Sequence, residues 1–269
     1  MKLIDLKPRP TVAVLGEAGS GKTYLLGTLC QLLPTIVLSS DLDGLDTLIK
    51  MKAEPVEIIH ITDWRNAWDY LDTVKEALQH GVRAIAVDDF GSSQETIRRK
   101  AMMMPRSRDE ERMKPADREA SLRRAFLLGD RRLQFQGWQE VAESGRDFIW
   151  ELRQLPYQYL MVNMLEGLRQ HPRTGEDHLF PELDGRLRET ILARFSVVLE
   201  LFYQHHRGQE YWCGTTRAHP RTSAKDRVGT PRTWTSPTAA KLLVHIMGKE
   251  AAIDAETETE RQIGVGITS

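Results

Sequence analysis

The sequence predicts an α/β fold with a mostly parallel central sheet, helices that flank it, and an antiparallel hairpin near the carboxyl end. Short β-branched runs alternate with longer amphipathic stretches along most of the chain, which is typical of parallel strands joined by helices. The segment SVVLELFYQHHRGQEYWCGTT holds two apolar runs joined by a polar turn containing Gly, which is typical of a hairpin. The chain has 269 residues, enough to bury one large core.

The predicted elements are strands separated by covering helices. Between the third and fourth strands, DWRNAWDYLDTVKEALQHG begins with a capping Asp63, carries apolar residues at three- and four-residue spacing, and stops at Gly81. This pattern predicts a helix whose Trp64, Trp68 and Leu71 contact the core. Five strands are predicted before the hairpin, over residues 11–15, 35–38, 56–61, 84–87 and 159–163.

The domain organisation follows from changes in composition. Residues 1–248 are predicted to form one domain, and residues 249–269 an acidic, flexible tail with few large apolar side chains. Within the domain, the segment at about 92–132 holds twelve Lys or Arg against seven Asp or Glu. Such a segment is typically a solvated helix or a mobile insertion, and a nucleic-acid contact is the alternative.

The overall composition is that of a globular protein outside membranes. Hydrophobic residues make up 41% and charged residues 28%, and no apolar run has the length of a membrane helix. The start, MKLIDLKPRP, lacks the apolar region of a signal peptide, and Cys30 and Cys213 form neither a disulfide framework nor a C-x-x-C pair. We therefore expect the cytoplasm. The net charge of -1 means that nucleic-acid binding would need local basic patches.

A glycine-rich turn, GEAGSGKT, follows the first predicted strand and precedes a predicted helix. It fits G-x-x-x-x-G-K-[ST], in which backbone N–H groups and the helix N-terminus surround phosphate oxygens. Lys22 is expected to reach the β- and γ-phosphates, and the Thr23 hydroxyl to bind Mg²⁺. The residues expected to contact the nucleotide are Gly16, Glu17, Ala18, Gly19, Ser20, Gly21, Lys22, Thr23 and Tyr24.

Acidic residues follow two of the predicted strands. In RAIAVDDF, Asp88 is the first acid after an apolar strand, so it is the candidate for the metal site, with Asp89 as a second candidate. In TIVLSSDLDGLD, Asp41 or Asp43 is a candidate to orient or deprotonate the attacking water, whereas Asp46 is not. The alternative for both groups is that the acids cap the helices that follow.

A polar residue, Asn163, follows the fifth strand at the carboxyl edge, where ligands of open α/β sheets bind. It is a candidate sensor of the γ-phosphate, and a loop amide with local hydrogen bonds is the alternative. The polar stretch of roughly twenty residues that follows is rich in Gly and Pro, and a loop of that length is typically functional or mobile.

Together these residues resemble the RecA-type branch of P-loop ATPases, and within it the bacteriophage RecA-like proteins that act as single-strand annealing recombinases. The likeness extends over about residues 11–229. In that family the second strand ends in an acid-x-acid pair, and the second acid activates water. The resemblance therefore implies Asp43 as the general base. RecA itself has Glu at this place. The family's polar residue on the fifth strand falls on Asn163, and residues 165–185 take the place of the DNA-binding loop.

The segment AKDRVGT is similar to the K-N-R-F-G and K-x-K elements of RadA- and RecA-type proteins, whose cations reach the nucleotide held by the adjacent subunit. The resemblance implies that Lys225 and Arg227 act in trans, with Asp226 in place of the usual Asn and Val228 in place of Phe. A cation that arrives across an interface can neutralise charge spread over the γ-phosphate oxygens in the transition state. The alternative is an ordinary charged surface turn.

The resemblance thus implies an Mg²⁺-dependent ATPase that forms a homo-oligomeric ring or filament and binds single-stranded DNA in annealing or strand pairing. Cations that contact phosphates are expected to dominate DNA binding, with Phe180 as the stacking candidate. A single-strand-binding protein is a further candidate partner, and the location is the host cytoplasm if the chain is phage-encoded. The residues implied in DNA binding are Arg169, Arg173, Arg186 and Arg188.

Two other classes of function remain open. A DnaB-like helicase or a packaging motor would share the nucleotide site, although the chain shows no obvious second domain for translocation. A non-catalytic scaffold gated by ATP would anneal strands or recruit a single-strand-binding protein through the acidic tail.

Overall fold

The computed structural model describes residues 9–63, 67–102, 112–127, 135–170, 175–183, 187–219, 223–229 and 231–247. The predicted acidic tail lies outside these residues, as do Trp64, Arg173 and Arg186.

A ten-stranded sheet forms the centre of the described structure. Its strands are β1 (Thr11–Gly16), β2 (Thr35–Ser39), β3 (Glu57–His60), β4 (Ala84–Val87), β5 (Tyr159–Gln170), β6 (Asp177–Pro181), β7 (Val197–His206), β8 (Gln209–Thr215), β9 (Lys225–Asp226) and β10 (Thr233–Thr235).

The strand order is β10-β8-β7-β1-β5-β4-β2-β3, with β6 paired to β5 and β9 paired to β7. The strands from β7 to β3 in this order run parallel, and β6, β8, β9 and β10 run antiparallel to their neighbours. Arg207 and Gly208 form the turn between β7 and β8, and both have positive φ, as a two-residue type I′ hairpin requires. The predicted hairpin is confirmed.

Helices cover both faces of the sheet because alternate strand residues point to opposite sides. Ala13 and Leu15 of β1 belong to one apolar core, and Val12 and Val14 to the other. The helices are α1 (Lys22–Leu32), α2 (Asp46–Met51), α3 (Ala67–Gln79), α4 (Phe90–Met102), α5 (Pro115–Leu127), α6 (Phe135–Gln154), α7 (Leu187–Thr190) and α8 (Ala239–Met247).

The first core contains residues of α3, α4 and α6, and the second contains residues of α1, α2 and α8. The predicted fold class is therefore confirmed: an α/β fold with a mostly parallel sheet, flanking helices and a C-terminal antiparallel hairpin. The described part of the charged segment at 92–132 lies mainly in α4 and α5.

Two expectations about local structure are wrong. Strand β5 ends at Gln170 rather than at residue 163, because residues 164 and 165 still pair with β1 and residues 166–170 pair with β6 in an antiparallel hairpin. Trp68 is 63% exposed, although Leu71 is buried as expected. The buried stripe of α3 contains Ala67, Leu71 and Val74, and Trp68 lies one position outside it.

Candidate nucleotide-binding site

The glycine-rich turn joins the end of β1 to the start of α1, and its shape requires glycine. Gly19 and Gly21 have φ values of 79° and 90°, in the left-handed region that glycine adopts without strain. A Cβ atom on Gly21 would lie 2.6 Å from the indole nitrogen of Trp212. A Cβ atom on Gly16 would lie 2.3 Å from the Ser20 hydroxyl oxygen. Close approach thus accounts for Gly16 and Gly21, and the positive φ accounts for Gly19.

Lys22 is held inside this turn. Its Nζ donates hydrogen bonds to the carbonyl oxygens of Gly16 and Glu17, both at 2.8 Å. Burial lowers the pKa of Lys22, and the charges of Asp89 and Asp88 oppose that effect. The ammonium group therefore lies within the loop that the motif folds around phosphates.

Three polar side chains from neighbouring elements form a chain of hydrogen bonds beside the loop. The Thr23 hydroxyl donates to Oδ2 of Asp88 at 2.9 Å, and Nδ2 of Asn163 donates to Oδ1 of Asp88, also at 2.9 Å. Burial raises the pKa of Asp88, whereas the hydrogen bonds from Asn163 and Thr23 and the charge of Lys22 act to lower it. The sheet order explains the contact, since β5 lies between β1 and β4.

The oxygens of Thr23 and Asp88 fit a magnesium site. Mg²⁺ prefers hard oxygen ligands and is usually held by one or two carboxylates together with substrate phosphates. Asp89, the second candidate, accepts a hydrogen bond from the backbone N–H of Gly91, and burial raises its pKa to about 6. The hydrogen bond from Thr23 goes to Asp88, which favours Asp88 as the metal ligand.

The candidates for the general base lie just beyond β2. The charge of Asp41 is close enough to Asp88 to act on its pKa, in the direction of an increase. Asp43 begins a 3₁₀ turn, Asp43–Leu45, and is exposed. The start of α2 has no side-chain capping hydrogen bond, so the helix-capping alternative gains no support. The role of Asp43 stays a prediction.

Two buried acids beside the loop were missed by the sequence analysis. Glu166 of β5 and Glu200 of β7 line a cavity of about 290 Å³, together with Glu17 and the loop residues that follow it. Burial raises the pKa of Glu166 to about 8, and the charge of Glu200 adds to the increase while Lys22 opposes it. Among the described residues, Oε1 of Glu166 has no hydrogen-bond partner. Glu166 lies on the part of β5 past residue 163, where the predicted strand ends, and no motif of the sequence indicates it.

The segment with the predicted trans cations lies at the other end of β7. Strand β9 pairs with Val197 and Val198, the first residues of that strand. Nζ of Lys225 donates to the backbone carbonyl of Leu192 in the same chain, and burial lowers the pKa of Lys225 to about 8. Arg227 is exposed. Of the two predicted cations, Arg227 is thus the one at the surface.

Asp226, which precedes Arg227, is held by hydrogen bonds from its own turn and from α8. Its carboxylate accepts hydrogen bonds from the backbone N–H groups of Val228 and Gly229, at 2.9 and 2.8 Å, and from the ring of His245. Burial acts to raise the pKa of Asp226, but these hydrogen bonds outweigh it and the pKa is lowered. A carboxylate therefore fixes the turn that carries Arg227.

The described residues implied in DNA binding lie around the β5–β6 hairpin. Arg169 is exposed near the end of β5, opposite His178 of β6, and Arg188 is half-buried in α7. Phe180 is only 9% exposed and packs against the ring of His178 at 4.5 Å. Phe180 is therefore wrong as a stacking candidate, because it points inward from its strand.

A phosphate-binding loop, a buried acid at the end of β4 and a mostly parallel α/β sheet define this chain as a P-loop nucleoside triphosphatase. The chain belongs to the family AAA_24, described as an AAA domain, whose model matches residues 9–228.

Among curated proteins there is no significant match. One similar solved structure is titled "Crystal structure of the RadB recombinase"; it has 12% sequence identity and a TM-score of 0.40, over 85% of this chain and 86% of that chain. A likeness at this level says nothing about a shared activity. No helix among the described residues is long and apolar enough to cross a membrane.

Proposed function

We propose that this chain is an Mg²⁺-dependent ATPase that binds single-stranded DNA and acts in recombination by annealing or pairing strands. ATP is hydrolysed at the loop of Gly16 to Tyr24, and the site is completed by a cation from a neighbouring copy of the chain.

One observation carries the catalytic part of the proposal: the Thr23 hydroxyl, the Asp88 carboxylate and the Asn163 amide are hydrogen-bonded in sequence beside Lys22. When Mg²⁺ is bound, it neutralises charge on the phosphates and orients them. Thr23 and Asp88 hold the ligand positions, and Lys22 contributes positive charge at the terminal phosphates. Asn163 fixes the Asp88 carboxylate and lies on the strand that leads to the β5–β6 hairpin.

The DNA-binding part is supported by the exposed end of that hairpin. Leu168 is 62% exposed and Arg169 is exposed beside it, on a segment that extends past the edge of the parallel sheet. Cations on an exposed strand of this kind bind DNA phosphates regardless of the base sequence, and their affinity for DNA falls steeply as the salt concentration rises. Arg169→Ala is expected to weaken binding of an oligonucleotide and to reduce its salt dependence, whereas Arg217→Ala, also exposed, serves as the control.

The direct test is ATP turnover by the wild type and by Lys22→Ala, with and without single-stranded oligonucleotide, at two salt concentrations. Loss of turnover by at least about 100-fold is expected in Lys22→Ala, because removal of one electrostatic group of this kind costs about 3 kcal/mol in the transition state. Lys50→Ala, an exposed lysine of α2, is the matched control. Unchanged turnover in Lys22→Ala would remove the site assignment, and oligonucleotide-independent turnover would remove the DNA assignment.

The contribution in trans is tested by mixing two inactive variants, Lys22→Ala and Arg227→Ala. In a head-to-tail assembly of equal amounts, about one quarter of the interfaces join an intact loop to an intact Arg227. Turnover should therefore recover in the mixture although each variant alone is inactive. A mixture as inactive as its components would contradict the shared site. Unwinding of a forked duplex by the wild type would favour a helicase instead.

A further inference from the structure

Aromatic side chains surround the outer wall of the phosphate-binding loop. Tyr24 is in the first turn of α1, directly after Thr23, and is 45% exposed. Trp212 of β8 and Tyr203 of β7 lie directly opposite each other in the hairpin ladder, so both side chains are on one face of the hairpin. Tyr203 is 46% exposed and lines the same cavity as Glu17. The aromatic surface is thus continuous with the loop.

Trp212 is fixed by the loop itself. Its Nε1 donates a hydrogen bond to the backbone carbonyl of Ser20 at 2.7 Å. Its ring fills the space that a side chain on Gly21 would need. The rings of Tyr24 and Trp212 meet edge to face, with centroids 5.2 Å apart and an interplanar angle of 87°. This is a favoured geometry for two aromatic rings and leaves Tyr24 partly open to solvent.

A nucleotide bound with its terminal phosphates at Lys22 would have its base on the side of the loop where these rings lie. Lys22 receives the terminal phosphates, and the backbone N–H groups of the loop and the first helical turn receive the remainder. The ribose and base must then extend past the first turn of α1, where Tyr24 lies. Aromatic faces stack with any base, and such stacking contributes about 1–3 kcal/mol per base when measured by alanine substitution.

We infer that Tyr24, supported by Trp212, forms a stacking platform for the base of the bound nucleoside triphosphate. This inference rests on the proposed nucleotide-binding function. Because stacking on an aromatic face needs no hydrogen bonds to the base edge, the platform accepts purines in general, and ATP and GTP depend on it alike. A base of single-stranded DNA is the competing occupant. The direct contact of Trp212 with Ser20 favours the nucleotide.

The test compares two ligands that differ in whether they have a base. Dissociation constants for ATP and for inorganic tripolyphosphate, both with Mg²⁺, are measured by titration calorimetry for the wild type, Tyr24→Ala, Tyr24→Phe and Tyr211→Ala. Tyr211 is 36% exposed and belongs to the same hairpin, but it is next to Trp212 in β8 and so points to the opposite face. It is the matched control.

In Tyr24→Ala, the affinity for ATP should fall by about tenfold and the affinity for tripolyphosphate by less than about twofold. Tyr24→Phe keeps the ring and should bind ATP like the wild type, and Tyr211→Ala should bind both ligands like the wild type. An equal loss for both ligands in Tyr24→Ala would show that Tyr24 supports the loop rather than the base, and no loss for either would show that it contacts neither; each result overturns the inference.

Two further outcomes separate this inference from the proposed function. If Tyr24→Ala binds ATP normally but loses affinity for an oligonucleotide, the ring belongs to the DNA site and the platform is refuted while nucleotide binding stands. If the wild type binds neither ATP nor tripolyphosphate, the proposed function fails and the platform fails with it.

Discussion

Replacement of Glu166 by Gln is expected to stabilise the protein at alkaline pH and to change it little at acidic pH. Glu166 is 6% exposed, and burial, reinforced by the charge of Glu200, raises its pKa to about 8. Between about pH 4.5 and pH 8 the folded protein keeps a proton that the unfolded chain has released. The free energy of unfolding therefore falls as the pH rises through this window.

The size of the effect follows from the two pKa values. A pKa that rises from 4.5 to about 8 on folding corresponds to roughly 5 kcal/mol of unfolding free energy lost above pH 8. At about pH 5 the loss is below about 1 kcal/mol, because the unfolded chain has released only part of its protons. Gln has nearly the same shape as the protonated carboxyl and does not ionise. The free energy of unfolding of the Gln variant therefore does not fall through ionisation at this position as the pH rises.

Urea unfolding at about pH 5 and about pH 8.5, without nucleotide, measures this difference. Glu17→Gln is the matched control, because Glu17 lines the same cavity but is exposed. Glu166→Gln should be more stable than the wild type by several kcal/mol at the higher pH only, and Glu17→Gln should differ little at either. Equal stabilisation by Glu166→Gln at both pH values would refute the reasoning, since the carboxyl would then be ionised throughout.

Three other substitutions test single contacts. Gly21→Ala should lower the free energy of unfolding by about 2–5 kcal/mol in urea, because a φ of 90° is strained for Ala and its Cβ would lie 2.6 Å from the indole nitrogen of Trp212. Asp88→Asn should raise the Mg²⁺ concentration for half-maximal ATP turnover by at least about tenfold, since the amide carries no charge for the metal; an unchanged requirement would exclude Asp88 as a ligand. His245→Ala removes a donor to the Asp226 carboxylate and should cost about 1–3 kcal/mol, and an unchanged thermal midpoint would show that the contact contributes nothing.

Much of the fold was predictable because it is encoded locally. The first, second, third and fourth strands are short apolar runs bounded by polar residues, and the structure places strands there. The phosphate-binding loop is also local, since its glycines, Lys22 and Thr23 occupy fixed spacings within one segment. Asp88 and Asn163 were predictable because the carboxyl ends of parallel strands share one edge, and the structure joins them by a hydrogen bond.

The features that the sequence did not predict depend on pairing between segments far apart in the chain. Residues 166–170 contain one large apolar side chain, Leu168, and their pairing with β6 makes them a strand. That pairing buries Glu166 beside the loop and turns Phe180 inward. The position of Trp212 beside the loop could not be predicted for the same reason, because its contact with Ser20 joins segments far apart in the sequence. Which face of a helix or strand meets the core is decided by such tertiary contacts and not by the local pattern alone.

Strand β5 connects the surroundings of Asp88 to the β5–β6 hairpin without interruption. Asn163, hydrogen-bonded to Asp88, and exposed Arg169 stand on one unbroken strand, six residues and therefore about 20 Å apart. Up to Val162 the strand lies between β1 and β4, residues 163–165 pair with β1, and residues 166–170 pair with β6. Because residues 166–170 are attached to the sheet through β6, a tilt of the strand near Asp88 would displace Arg169 further than it displaces Asn163.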